Sequence, residues 1–310
     1  MSKAVIMETF GGIENLQVQE VAEPHAEAAQ IRVKVAAAGL NPMDWIMTAD
    51  DETASRFGLT LPSGFGTDYA GTVDEVGADV TNFEVGDRVF GCALSRAVAD
   101  YVVVDPEGNI GDGAHHTPGG LDDKTAATLD IAGRTASAAL DAIDLRDGDT
   151  VLIGGAAGGV GVFAVQLAKL AGARVIGTAS ESSFDYLRSL GAEPVAYGEG
   201  LVDRVRAITP NGVAAATGLF GTEVVHVARA LGVPDDRISV IAAQVDGVTG
   251  VSGANAKAGT LEYIADLVAN GELTVPIAAE YGLHRIRDAV EMQAGRHANG
   301  KVVVTLAESR

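Results

Sequence analysis

The sequence predicts an α/β protein with two domains, one a doubly wound parallel sheet and the other a small β-barrel or partly open sheet. Three observations favour this fold class. The chain of 310 residues exceeds what one hydrophobic core usually organises. Hydrophobic residues make up 47% of it, which is ample for two buried cores. Short β-rich runs fill the first third, and after residue 120 apolar strands alternate with helices, as in a parallel sheet covered on both faces.

Glycine-punctuated runs of β-forming residues predict the strands of the first domain, at 3–9, 16–21, 31–37, 72–76, 87–90 and 101–104. Strands at this spacing suit a small barrel. Residues 105–120 are rich in glycine, proline and polar side chains, which predicts a loop or linker. We therefore expect a domain boundary near residue 120.

The second domain is predicted from residue 121 onward, because the apolar periodicity changes there. Predicted strands lie at 150–153, 174–178, 195–197, 213–217 and 238–242, and predicted helices at 160–170, 184–190, 201–208 and 223–231. Further helices are expected at 261–269 and 286–292, followed by a closing strand at 301–306.

Composition excludes several partners and compartments. Lys and Arg number 22 against 42 Asp and Glu, and the formal charge of -20 repels nucleic acid and anionic membrane surfaces. The apolar stretches are interrupted by glycine and too short to span a membrane, and the N-terminus lacks the features of a secretory signal. A single cysteine, Cys92, cannot form an internal disulfide. A cytoplasmic location is expected.

The segment from Gly154 to Gly161, GGAAGGVG, follows an apolar strand and opens a helix. This is the context that a dinucleotide-binding fingerprint requires, because glycines let the backbone approach a pyrophosphate at the start of a helix. Ala156 stands where the first glycine of G-x-G-x-x-G would be, and Gly158 and Gly161 stand at the other two. The pattern predicts a Rossmann domain that binds a nicotinamide dinucleotide.

Ser180 ends the second strand of that domain, about where a carboxylate would bind the adenosine ribose of NAD. Its lack of charge favours NADPH over NADH, because a carboxylate there would repel the 2′-phosphate. Glu181 is adjacent and the first cation after it is Arg188, so NADH stays possible.

Several segments together resemble the medium-chain dehydrogenase/reductase superfamily over nearly the whole chain: NPMD at 41–44, GTDYAGTVDEVG at 66–77, FEVGDRVFG at 83–91, the glycine-rich 156–180 and GKVVV at 300–304. The sequence is similar to the zinc-less, zeta-crystallin-like quinone oxidoreductase branch. The resemblance implies a GroES-like substrate domain at 1–120 and 258–310, a Rossmann domain at 121–257, a cleft between them and a homodimer.

The resemblance also implies individual site residues. It places Asn41 at the nicotinamide ribose and carboxamide, and Tyr69 is a weak candidate for a proton donor. Trp45 and Phe90 are candidates for the substrate pocket, although Trp45 suits a core position equally well. The implied cofactor-binding residues are Asn41, Thr135, Gly155, Ala156, Ala157, Gly158, Gly159, Val160, Ser180, Tyr197, Leu219, Ile241, Ala242 and Ala243.

Zinc is not expected, because zinc-dependent relatives carry a cysteine near position 41 and a histidine near 67, where this chain has Asn41 and Thr67. The activity implied is hydride transfer from NADPH to a quinone or to the double bond of an α,β-unsaturated carbonyl. Two alternatives stay open. One is an enoyl-thioester reductase, and the other is a non-catalytic NADPH-binding protein with a crystallin-like or redox-sensing role.

Overall fold

The computed structural model describes residues 1–108, 111–241, 243–295 and 298–306. The chain divides into two compact units. The first unit comprises Met1–Ile131, Leu261–Glu272 and Ile277–Arg310, and the second comprises Ala132–Thr260 and Leu273–Pro276. Within the described residues, no helix is both long and apolar enough to cross a membrane.

The strands in chain order are β1 (Ser2–Ile6), β2 (Gln17–Val21), β3 (Ile31–Leu40), β4 (Asp68–Val76), β5 (Arg88–Ala93), β6 (Tyr101–Val104), β7 (Asp112–His116), β8 (Thr150–Gly154), β9 (Arg174–Ala179), β10 (Glu193–Ala196), β11 (Ala215–Gly218), β12 (Ile238–Ile241), β13 (Thr249–Val251), β14 (Ile277–Gly282) and β15 (Lys301–Thr305). The helices are α1 (Pro42–Ile46), α2 (Asp51–Arg56), α3 (Asp123–Ala126), α4 (Asp130–Asp141), α5 (Gly159–Leu170), α6 (Phe184–Ser189), α7 (Leu201–Ile208), α8 (Glu223–Ala230), α9 (Thr260–Ala269) and α10 (Ile286–Ala294).

The first unit is built around β3. Its sheet runs β14-β15-β3-β4-β5-β7, with β6 also paired to β3 and with β1 and β2 forming a separate hairpin. The first six residues of β3 alternate buried Ile31, Val33 and Val35 with more exposed residues, whereas its last four, 37–40, are all buried. The end of β3 and the start of β4, which pair as Gly39 with Asp68, therefore lie inside the unit.

The second unit is a parallel sheet of six strands in the order β10-β9-β8-β11-β12-β13. Counted from β8, this is the 3-2-1-4-5-6 order of a doubly wound dinucleotide-binding fold. Its central strand is apolar because both faces are covered, and Val151, Leu152 and Ile153 are fully buried. The carboxyl ends of the strands share one edge of the sheet, where such folds bind their ligands.

The structure corrects two sequence predictions. The first concerns the domain bounds: residues 121–131, predicted in the second domain, belong to the first unit, and residues 258–260 and 273–276, predicted in the first domain, belong to the second unit. The packing of residues 121–131 shows why, since a Cβ on Gly39 would lie 2.1 Å from the Ala127 carbonyl oxygen, and the Ile131 N–H donates to Asp68. Residues 112–116, predicted as part of a loop, form β7, because β5 supplies a pairing partner in register from Val89 to Ala93. Local composition could not reveal this non-local pairing.

Candidate functional site

The glycine-rich turn joins β8 to α5 in the second unit. Gly155 has φ +69°, a left-handed conformation that suits glycine, and Gly158 caps the helix in an extended conformation. The Gly155 N–H donates to Thr178 Oγ1 at 3.2 Å, which ties the turn to β9. The first N–H groups of α5 have no partner within the helix, and such groups at a helix start are donors to which anions bind in proteins.

The neighbouring small residues let α5 pack tightly against the sheet. A Cβ on Gly161 would lie 2.3 Å from the Ala156 carbonyl oxygen, and one on Gly177 of β9 would lie 2.8 Å from the Ala156 Cβ. Ala156 is fully buried, so its methyl group is accommodated inside the packing, although the fingerprint has glycine there. By contrast, Gly155 and residues 157–160 are partly or fully exposed and accessible to a ligand.

Three serine hydroxyls meet beyond the end of β9. The Ser180 Oγ lies 2.9 Å from the Ser182 Oγ and 3.3 Å from the Ser183 Oγ. Beyond the next strand of the sheet, β10, the side chain of Tyr197 is 59% exposed. This edge therefore presents hydroxyl groups where NAD-specific folds carry a carboxylate.

The other predicted cofactor residues of the second unit are also placed. Leu219 follows β11, and its N–H donates to the Gly154 carbonyl at 3.1 Å. Ile241 ends β12, and Ile241 and Ala243 are half-buried, whereas Ala242 lies outside the described residues. Thr135 is buried on α4.

A second constellation lies inside the first unit, around Asn41 at the end of β3. Its Nδ2 donates to Asp68 Oδ2 at 2.8 Å, and its Oδ1 accepts from Lys301 Nζ at 2.6 Å. Lys301 Nζ also lies 3.9 Å from Asp68 Oδ2. All three side chains are buried, with exposed fractions of 3% for Asn41 and Lys301 and 0% for Asp68.

Asp44 braces the backbone of this constellation. Its Oδ2 accepts from the Asn41 N–H at 2.8 Å, and its Oδ1 accepts from Thr67 Oγ1 at 2.7 Å. Burial raises the pKa of Asp44 to about 6, and the two hydrogen bonds oppose this change. Asp44 is thus a loop-bracing carboxylate that fixes where Asn41 begins α1.

Burial also disfavours the charges of the pair that contacts Asn41. It raises the pKa of Asp68, which the Lys301 ammonium opposes, and it lowers the pKa of Lys301, which Asp68 and Asp44 oppose. The Ile131 N–H donates to the second oxygen of Asp68 at 3.2 Å. Sequence reasoning missed Lys301, for which the available signal was a lysine opening the otherwise apolar strand β15.

The predicted proton donor and one predicted pocket residue are core residues in the structure. Tyr69 is fully buried, its hydroxyl donates to the Gly113 carbonyl at 2.9 Å, and burial raises its pKa well above the usual value of 10.0. Phe90 is fully buried beside the ring of His115. Trp45 is half-buried, packs against the core and donates from Nε1 to Gln293. Tyr69 and Phe90 thus have core surroundings, and Trp45 has the core contacts that its alternative interpretation expects.

Comparison with known proteins identifies the family. Residues 27–128 match the alcohol dehydrogenase GroES-like domain, and residues 159–261 match the model described as zinc-binding dehydrogenase. A chloroplast envelope quinone oxidoreductase homolog from Arabidopsis thaliana is 30% identical over an alignment of 334 positions, gaps included, that covers 95% of each chain. The chain belongs to the medium-chain dehydrogenase/reductase superfamily, in its quinone oxidoreductase-like branch.

Two further relatives agree with this assignment. The structure of the quinone oxidoreductase from Coxiella burnetii aligns with a TM-score of 0.88 and 30% identity over 99% of both chains. A quinone oxidoreductase from Pseudomonas aeruginosa is 37% identical over 186 residues, a match that spans about half of that relative, 53%. The predicted family and the predicted combination of Rossmann and GroES-like domains are confirmed.

The donor set at the position of zinc ligands in other members of this superfamily does not suit zinc here. Asn41 and Thr67 stand at the cysteine and histidine positions, and both take part in the hydrogen bonds described above. Among the described residues, no group of three or more His, Cys, Asp or Glu side chains could hold a metal ion.

Proposed function

We propose that the chain is an oxidoreductase that transfers hydride from NADPH to a quinone, or to the β-carbon of an α,β-unsaturated carbonyl, without zinc. The observation that carries this proposal is the glycine-rich turn at the carboxyl end of β8, in a six-stranded sheet of dinucleotide-binding order. Similarity over nearly the full length to the quinone oxidoreductase homolog of Arabidopsis thaliana and to the quinone oxidoreductase of Coxiella burnetii supports it.

The residues of the second unit fit a nicotinamide dinucleotide. The backbone of Gly155 and of residues 157–160 would hold the pyrophosphate, because these residues are partly or fully exposed at the start of α5. Leu219, Ile241 and Ala243 follow or end neighbouring strands and would flank the two riboses. When bound, the nicotinamide supplies the hydride. The protein supplies orientation and an environment that limits side reactions.

NADPH is proposed over NADH because of the serine group at the end of β9. Ser180 and Ser182, which are partly or fully exposed, would offer hydroxyl groups to a 2′-phosphate, and neither carries a charge that repels it. The exposed Tyr197, in the loop after the next strand, adds another hydroxyl. A carboxylate at Ser180 would reverse the preference, because it would bind the ribose hydroxyls and repel the phosphate.

A conjugated acceptor is proposed because Asn41 and Thr67 lack the thiolate and imidazole with which zinc-dependent relatives hold a zinc ion. An acceptor already activated by conjugation accepts hydride without one. We keep Asn41 as the proposed residue of the nicotinamide end. The homodimer and the cytoplasmic location stay predictions.

The test is anaerobic oxidation of NADPH and NADH, with a chelator present, against an ortho-quinone, a small enone and an enoyl thioester. We expect chelator-insensitive turnover with NADPH and a preference for the quinone or the enone. A preference for the thioester would favour the reductase alternative. Cofactor binding without turnover of any acceptor would favour a non-catalytic role, and loss of activity with the chelator would refute the zinc-free proposal.

A charge substitution tests the cofactor preference. Ser180→Asp should weaken NADPH binding at least about tenfold relative to NADH binding, because the new carboxylate faces the 2′-phosphate. Ser189→Asp is the matched control, since it adds the same charge at an exposed position of α6. If both substitutions change the affinity for NADPH relative to NADH by the same factor, Ser180 does not contact the 2′ position of the cofactor.

A further inference from the structure

Asn41 lies between a buried cation and a buried carboxylate that come from two other elements. Lys301 opens β15 and Asp68 opens β4, and both strands pair with β3, at whose end Asn41 lies. Burying two charges costs several kcal/mol of desolvation for each ion, which an apolar pair of similar size would avoid. The neighbours of Lys301 on β15 are buried valines, so packing alone would be served by another apolar residue.

This pair permits a single orientation of the Asn41 amide. Lys301 Nζ donates to Oδ1 at 2.6 Å, and Asp68 accepts from Nδ2 at 2.8 Å. A flipped amide would place its carbonyl oxygen against the carboxylate and its NH₂ group against the ammonium, and both contacts are repulsive. The backbone is held as well, since the Asn41 N–H donates to Asp44 and the Asp44 N–H donates back to the Asn41 carbonyl.

We propose that Lys301 and Asp68 are positioning residues that fix the amide of Asn41 for recognition of the nicotinamide end of the cofactor. The inference rests on the proposed function. Asp68 accepts one of the two N–H bonds of Nδ2, and the proposal assigns the second N–H to a carbonyl or hydroxyl oxygen of the cofactor. A donor whose direction is fixed before binding spends no binding energy on being ordered.

The test removes both charges and leaves Asn41 intact. In the double variant Lys301→Gln/Asp68→Asn, amides flank Asn41 on both sides and accept either orientation of its side chain. The matched control is Lys124→Gln/Glu280→Gln, which removes a Lys–carboxylate pair of the same unit joined at 2.5 Å, with each side chain 45% exposed. Dissociation constants are measured for NADPH and for its fragment that lacks nicotinamide, 2′-phospho-ADP-ribose.

We expect the double variant to weaken NADPH binding about tenfold and to leave fragment binding within about twofold, the size of one lost hydrogen bond. The control should change neither constant. Equal weakening of both ligands, or of neither, would overturn the positioning role, since a purely structural defect does not distinguish them. Wild-type protein that binds neither ligand would overturn the proposed function together with this inference.

A second variant covers the case in which the first does not fold. Asn41→Asp/Asp68→Asn exchanges the amide and the carboxylate and keeps Lys301 beside one negative charge, so the charge of the constellation is unchanged. It should keep a cooperative thermal transition and show the same selective loss of NADPH over the fragment. Wild-type affinity for NADPH in this variant would overturn the proposal.

Discussion

The glycine-rich turn of the second unit and the Asn41 constellation of the first unit are built in opposite ways. The turn works through backbone N–H groups, and its members lie within eight consecutive positions, from Gly154 to Gly161. The constellation works through side chains, and Lys301 reaches Asn41 across 260 positions of sequence. A backbone site therefore leaves one contiguous sequence motif, whereas the members of a side-chain network assembled by sheet pairing are spread over separate segments, and no single segment shows that they meet.

The two regions should also lose stability through different kinds of substitution. The turn depends on the close approach of its backbone segments, so adding a single methyl group to one of its glycines should lower the stability of the protein most directly. In the constellation, what matters is the balance of buried charges, so removal of one partner is the sharpest perturbation. Lys301→Gln and Gly161→Ala test this contrast, and Tyr69→Phe then tests a buried hydroxyl outside both regions, in order of decreasing expected effect.

The largest effect is expected from Lys301→Gln. Removing the cation leaves the carboxylates of Asp68 and Asp44 buried without it, and we expect a loss of about 3–5 kcal/mol in the free energy of unfolding. Adding Asp68→Asn should restore most of that loss, because the charge left behind is removed too. Urea unfolding of the single and double variants with equal m-values measures both changes.

The exposed pair provides the control for this prediction. Lys124→Gln removes a lysine that pairs with Glu280 at the surface, and its effect should stay below about 1 kcal/mol. Two results would contradict the prediction: a loss in the free energy of unfolding no larger for Lys301→Gln than for Lys124→Gln, or a double variant Lys301→Gln/Asp68→Asn less stable than Lys301→Gln alone. Either result would show that charge balance does not hold the constellation together.

The next effect is expected from Gly161→Ala in α5. The added Cβ would lie 2.3 Å from the Ala156 carbonyl oxygen, so the helix must shift, at a cost of about 1–3 kcal/mol. Gly158→Ala is the matched control, because its Cβ would lie 3.3 Å from the Gly155 oxygen and its φ of -80° suits alanine. Equal stability of the two variants in urea would show that the turn does not depend on this close approach.

Sequence could predict much of the second unit, since its strands and helices follow local apolar periodicity and the fingerprint stands in its expected context. It could not place the boundary at Ile131 or the strand β7, because both depend on contacts made across the sheet of the first unit. The burial of the Tyr69 and Phe90 side chains could not be predicted from the sequence either. Their exposure is set by which strands pair on either side of β4 and β5, and that is not encoded near them.

Tyr69→Phe should have the smallest effect. The variant loses one buried hydrogen bond, to the Gly113 carbonyl, at a cost of about 1 kcal/mol in urea unfolding. The pH profile of kcat with NADPH should keep its shape, because a fully buried hydroxyl cannot deliver a proton to a substrate.

Tyr101→Phe, at a half-buried ring under Arg32, is the control for removing a hydroxyl from this unit. A fall in kcat of more than about tenfold, with loss of a titration step, would return Tyr69 to the reaction. It would also mean that the first unit opens during turnover, since only movement of its strands could bring that hydroxyl to a substrate.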